Sequence, residues 1–147
     1  MITLQVINKT NWKECIQLKP KQEQEHFIAS NLYSIAEVQF LDGFVTRGIY
    51  DDQQLIGFTM FGLDSDDGNY WIYRFMIDGR YQGRGHGTTA LQHVIDHIRL
   101  QEDRTDVLMI GYEPHNEQAR RLYTKLGFVE LGIMPWSMGE VVAKYTF

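Results

Sequence analysis

The chain has 147 residues, 44% of them hydrophobic and 22% charged, with a net charge of −5. A chain of that length has the commonest size of one domain and buries roughly 70% of its unfolded surface, so it holds a core without staples. The acidic balance disfavours a nucleic-acid partner, no stretch approaches the ~20 apolar residues of a membrane span, and a single cysteine excludes an internal disulfide.

One cysteine, Cys15, fits a reducing compartment and reads as a small buried residue. The opening MITLQVINKT lacks the basic and apolar blocks of a secretory leader, so a cytoplasmic domain is expected. No repeat, low-complexity tract or linker interrupts residues 1–147, which read as a single domain.

Residues 2–7 (ITLQVI) predict a first strand, and Asn11 is placed to cap a short helix through about Leu18. Over residues 21–41, Phe27, Ile28, Leu32, Ile35, Ala36 and Phe40 recur at three- and four-residue spacings. Two short helices are expected there, with Asn31 or Ser34 near the break. FVTRGIYDD and QLIGFTMFGLD then predict an antiparallel hairpin, SDDGN a loop, and YWIYRFMID an aromatic strand. Ala90, Leu91, Val94, Ile95 and Ile98 predict a helix from about Gly85 to Gln101. VLMIGY reads as a buried strand, Asn116 to Leu126 as a helix stopped at Gly127, and FVELGI and VVAKYTF as closing strands. The element order is that of a mixed α/β fold with about seven strands and about four helices.

Between the aromatic strand and the long helix lies RYQGRGHGTTAL, with glycines at 83, 85 and 87. A strand, a glycine-rich turn and a helix N-terminus form a construction for binding phosphate. The first-turn N–H groups and the helix dipole favour an anion, and glycine lets the backbone approach it. The pattern G-x-x-x-x-G-K-S/T fails for want of a lysine. The pattern G-x-G-x-x-G fails because its third glycine would fall at Thr88. The pattern Q/R-x-x-G-x-G/A fits Gln82, Gly85 and Gly87.

That third pattern resembles the acyl-coenzyme A pyrophosphate loop of the GNAT N-acetyltransferase superfamily. A second stretch, NEQARRLYTKLGF, resembles the GNAT pattern N-x-x-A-x-x-L/F-Y-x-K/R-x-G-F at Asn116, Ala119, Leu122, Tyr123, Lys125, Gly127 and Phe128. One helix and one apolar strand separate the two motifs, as in that superfamily. The resemblance extends over essentially the whole chain and implies a GNAT fold using acetyl-coenzyme A.

In that fold the strands YWIYRFMID and VLMIGY would splay apart and admit pantetheine. The resemblance then implies pantetheine contacts at the backbone of Phe75, Met76 and Ile77, and pyrophosphate contacts at Gln82, Gly83, Arg84, Gly85, His86, Gly87 and Thr88. Asn116 would contact the cofactor or cap its helix. The backbone N–H near Met76 would serve the oxyanion. Acetyl transfer needs an amine stripped of its proton, a stabilised oxyanion and a protonated leaving thiolate. The resemblance gives the last role to Tyr123. Some relatives use a glutamate on the fourth strand as base, where this chain has Tyr73 and Arg74. A water relay or Glu37 is left to serve instead. His93 and His97 stand four apart on one helix without a third ligand, so no metal is expected.

HFIASNLYSIAEV, YWIYRFMID, RYQGRGHG and GEVVAKY further resemble bacterial spermine/spermidine (diamine) N-acetyltransferases. A polyamine carries several cations and needs spaced carboxylates and aromatic faces. Glu25, Glu37, Tyr33, Trp71 and Tyr73 are the candidates for lining its channel, with Glu140 and the SDDGN loop as further acidic candidates. Another amine (an aminoglycoside, an amino acid or a protein N-terminus) and a non-catalytic acyl-coenzyme A sensor stay open as alternatives. Homodimers through the C-terminal strands are common among such relatives, and Trp136 is read as an interface residue or a substrate wall.

Overall fold

A computed structural model describes residues Met1–Phe147. Seven strands form one mixed sheet: β1 (Ile2–Val6), β2 (Phe44–Asp51), β3 (Gln54–Leu63), β4 (Tyr70–Ile77), β5 (Val107–Tyr112), β6 (Val129–Ile133) and β7 (Val141–Thr146). Their order across the sheet is β1-β2-β3-β4-β5-β7-β6. Four α-helices accompany them: α1 (Trp12–Gln17), α2 (Asn31–Val38), α3 (His86–Arg99) and α4 (Glu117–Leu126). Only β4 and β5 pair in parallel, and α3 supplies the crossover that a parallel pair requires.

Two hydrophobic layers clothe the sheet. Leu91, Val94, Ile95 and Ile98 repeat on one face of α3 and meet Phe61, Ile72, Leu108 and Ile110. Cys15 and Leu18 meet Leu55, Phe58, Met60 and Met76. β3 contributes to both layers and is buried from Leu55 to Gly62, which explains its continuous apolar run. Burying each large side chain contributes about 1.5–3 kcal/mol. Cys15 lies fully buried with its thiol pKa pushed up to about 12 by burial, so it packs and stays unreactive.

Two local expectations change. Asn11 precedes α1, but its side chain does not cap the helix. Its Oδ1 accepts from the Asn8 N–H at 2.8 Å, while its Nδ2 donates to the Val6 carbonyl and the Tyr50 hydroxyl. In the 21–41 segment, the first helix is a 3-10 turn over Gln22–Phe27, and the break falls at residues 28–30. Ser30 sets that boundary, because its Oγ accepts from the Tyr33 N–H at 3.1 Å and starts α2.

β4 decides where the cavity opens. Phe61 on β3 faces Ile72, whereas Met60 faces Arg74, so Tyr73 is an extra residue in β4. Such a bulge bends its strand. Accordingly β4 and β5 pair only through Tyr70–Ile72 and Leu108–Ile110. Beyond that point they diverge, and the β5-facing edge of Phe75–Ile77 has no strand beside it.

Candidate active site

The divergence of β4 and β5 leaves a cavity of about 750 Å³, within the range of small-molecule sites. The 3-10 turn at Gly79–Tyr81 leads from β4 into the glycine loop and α3. Asp78 anchors that path: its carboxylate accepts from the Arg80 N–H at 2.9 Å and the Lys19 N–H at 3.0 Å. Gly83 and Gly85 adopt φ values of +81° and +82°, which side-chain-bearing residues rarely take. Gly85 precedes α3 without any side-chain cap, so the first-turn amides at His86, Gly87 and Thr88 keep no internal acceptor. These three residues line the cavity. An uncapped helix start on such a loop fits an anionic diphosphate.

Asn116 behaves differently. Its Oδ1 accepts from the Ala119 N–H at 3.2 Å, so it caps α4, and it also borders the cavity. α4 presents Gln118, Arg121, Leu122 and Lys125 to the cavity at helical spacing. Arg121 and the role of Lys125 escaped the sequence reading, although the spacing from Gln118 marks that face. At the rim Gln82 does not hang free. Its Nε2 donates to the Ile77 carbonyl at 2.8 Å, and its amide joins Gln24 and Gln118.

Tyr123 is buried on α4 between the rings of Tyr112 and Phe128, with centroids 5.4 and 5.7 Å away. The helix stops after Leu126, less than one turn beyond Tyr123, because Gly127 takes φ +108° and the Phe128 N–H donates to the Tyr123 carbonyl at 3.0 Å. The motif residues Gly127 and Phe128 thus hold Tyr123 in place. Burial, with smaller contributions from Tyr112 and Glu140, raises the Tyr123 phenol well above its ordinary pKa. Tyr123 borders the cavity.

Trp71 and Tyr73 share one face of β4 and border both this cavity and a smaller one of about 230 Å³. Each is fixed by a carboxylate of the loop before β4: the Tyr73 hydroxyl donates to Asp64 and the Trp71 Nε1–H to Asp67, both at 2.7 Å. Trp136 meets Trp71 edge-on at 5.9 Å and walls the smaller cavity. Glu37 reaches the main cavity from α2, paired with Arg74 at 2.9 Å. Glu140 borders both cavities.

The remaining expected residues lie elsewhere. Glu25 and Arg84 are exposed and border neither cavity. Tyr33 is 58% exposed, outside the lining, with the Arg74 guanidinium 6.0 Å from its ring. Phe75, Met76, Ile77, Gln82, Gly83, Gly85, His86, Gly87, Thr88, Asn116, Tyr123, Glu37, Trp71 and Tyr73 all border the main cavity. His97 has a packing role, edge-on to Phe61 at 5.5 Å.

Comparison with known proteins agrees with this architecture. The chain is 28% identical to a spermine/spermidine N(1)-acetyltransferase of Bacillus subtilis, over 97% of each chain. Among solved structures, the aminoglycoside acetyltransferase AAC(6')-Ib in complex with coenzyme A superposes with a TM-score of 0.82 at 15% identity, covering 99% of this chain and 95% of the other. The PaiA N-acetyltransferase of Thermoplasma acidophilum, in complex with coenzyme A, gives a TM-score of 0.75 at 14% identity, covering 100% and 99%. The family model described as the acetyltransferase (GNAT) family matches residues 5–128, and the chain belongs to that family.

Proposed function

We propose that this protein transfers the acetyl group of acetyl-coenzyme A to a primary amine of a polyamine such as spermine or spermidine, by direct attack with both substrates bound. The observation that carries this reading is the division of chemistry along one cavity. The uncapped α3 N-terminus, Arg121 and Lys125 suit a diphosphate, while Glu37, Glu140 and the faces of Trp71 and Tyr73 suit a cationic amine. The similarity to a spermine/spermidine acetyltransferase supports the polyamine.

In this reading the loop Gly83–Thr88 holds the pyrophosphate through its amides. The open edge of Phe75–Ile77 pairs with the pantetheine amides as an added strand would. A backbone N–H of that edge, next to Met76, receives the developing oxyanion. Tyr123 gives its proton to the departing thiolate, a role that a phenol of raised pKa can fill at neutral pH. The enzyme works as one domain over residues 1–147 in a reducing cytoplasm. A homodimer across edge strand β6 belongs to the same reading, on the exposure of Val129 and Ile133, and light scattering decides it.

The test is thiol release from acetyl-coenzyme A across spermine, spermidine, a short diamine, an aminoglycoside, free amino acids and an N-terminal peptide. Turnover at low spermine and spermidine concentrations supports the proposal. Turnover confined to another amine overturns the polyamine, and silence throughout with cofactor bound overturns catalysis in favour of a sensor.

A further inference from the structure

Glu140 enters the site from the opposite end of the sequence to Glu37, immediately before β7. The turn that delivers it is built without its side chain. The buried Ser137 accepts from the Met134 N–H at 2.9 Å and donates to the Glu140 carbonyl at 2.7 Å. The Glu140 N–H returns to the Ser137 carbonyl at 3.0 Å, and Met138 and Gly139 turn the chain with positive φ.

The carboxylate so placed lies against Gly111 on β5. A Cβ added at Gly111 would stand 3.1 Å from Glu140 Oε1. Gly111 is the first β5 residue past the last β4–β5 pair, Ile72 with Ile110, and Tyr73 is the bulged β4 residue opposite. The carboxylate therefore occupies the fork where the strands part. It is also where the larger cavity, bordered by Tyr123, meets the smaller one walled by Trp71, Tyr73 and Trp136.

Resting on the acetyl-transfer reading above, we infer that Glu140 is a catalytic residue: it binds the acceptor ammonium at this fork and takes its proton. The neutral nitrogen then attacks the acetyl carbonyl and forms the new C–N bond. The C–S bond breaks, and the thiolate takes the Tyr123 proton. The nitrogen loses its second proton as the adduct collapses, which restores Tyr123. Glu140 releases the first proton to water through the smaller cavity, so each turnover yields one amide, one thiol and one free proton. The rest of the acceptor extends into the smaller cavity, along the wall that Trp71 and Trp136 form together.

The other carboxylate of the main cavity is less free. Glu37 is held by the Arg74 guanidinium, while Glu140 accepts no hydrogen bond through its carboxylate from any group in the protein. Arg74 and the Tyr73 phenol on β4, Glu113 after β5, Tyr123 on α4 and Asp64 across the smaller cavity are charged and titratable groups around it. Burial and the Glu113 charge raise its pKa against the opposing pull of Arg74. A raised carboxylate is a better match to an ammonium proton than an ordinary one.

The experiment compares wild type, Glu140→Gln and Glu140→Asp with whichever amine of the panel is turned over best. It records kcat and KM from pH 5.5 to 9.5, and acetyl-coenzyme A binding by calorimetry. For Glu140→Gln, kcat/KM for the amine should fall on the order of 100-fold or more. The ascending limb of its pH profile should move toward the free amine's own ionisation near ~10. Acetyl-coenzyme A affinity should stay within about twofold of wild type, which also reports a folded site, and Glu140→Asp should keep the original limb at an intermediate rate. Glu140→Gln with wild-type rates overturns the inference, and so does a raised KM with the original limb intact. Turnover of a non-polyamine only would remove the polyamine and leave Glu140 to be judged on that amine. A wild type silent on every amine overturns both readings.

Discussion

Arg74 on β4 donates through Nη2 to Glu37 Oε1 on α2 at 2.9 Å, while its buried Nε has no partner. With side chains 16% and 31% exposed, the pair is partly shielded from water and ties the acceptor wall to the sheet. With Nε unpaired, the guanidinium depends on this bond and on the one from Nη1 to the Tyr73 carbonyl at 3.0 Å. Glu37→Gln should lower the unfolding free energy by about 1–3 kcal/mol in urea titrations. Adding Arg74→Met should recover part of that loss by removing the stranded charge. An unchanged urea midpoint in the single variant would show the pair to be ornamental.

Tyr123→Phe separates chemistry from packing. The phenol ring lies between Tyr112 and Phe128, and the residue borders the cavity. Removing the oxygen alone should leave the melting temperature within a few degrees of wild type and acetyl-coenzyme A affinity unaltered. Turnover, measured where chemistry limits the rate, should fall by about 10²–10⁴. Wild-type turnover in this variant would assign the leaving-group proton elsewhere.

Much of this arrangement was legible because short-range rules control it. The apolar spacing of Ala90, Leu91, Val94, Ile95 and Ile98 marks α3, and Gly127 marks the stop of α4. The loop of Gly83, Gly85 and Gly87 and the stretch around Tyr123 carry their meaning in local spacing. What could not be read depends on meetings across the chain. The bulge at Tyr73 arises from register against β3, which no local pattern encodes. Glu37 finds Arg74 across 37 positions, and Glu140 finds Gly111 only because β7 inserts beside β5. Glu25 and Tyr33 fit a polyamine by composition, yet the 3-10 turn and α2 direct them away from the cavity lining.

Gly85 distinguishes the cost of a conformation from the cost of a lost ligand. An added Cβ at this position meets nothing within 4 Å, so Gly85→Ala should destabilise the free protein only by the left-handed backbone penalty, about 1–2 kcal/mol. Gly85→Asp brings a carboxylate to the uncapped start of α3, where the diphosphate is expected. Its affinity for coenzyme A by calorimetry should fall far more than that of Gly85→Ala. Equal affinities for the two variants would remove the pyrophosphate from this loop.

Asp78 predicts how stability responds to acid. Burial alone would raise its pKa, but hydrogen bonds from the Arg80 side chain and backbone and from the Lys19 N–H bring it below the ordinary carboxylate value. A folded-state pKa below the unfolded one means that the charged carboxylate stabilises the fold at pH values above the unfolded pKa of ~3.9. That contribution disappears as pH falls through the lower, folded value. Asp78→Asn should therefore be less stable than wild type by about 1–3 kcal/mol at pH 7, because an amide cannot replace both oxygen acceptors. The gap should narrow below pH ~4, where wild type loses its charge. Urea midpoints of both proteins from pH 7 to 3 check the sign, and a gap that stays constant over that range would place the stabilising charge at another residue.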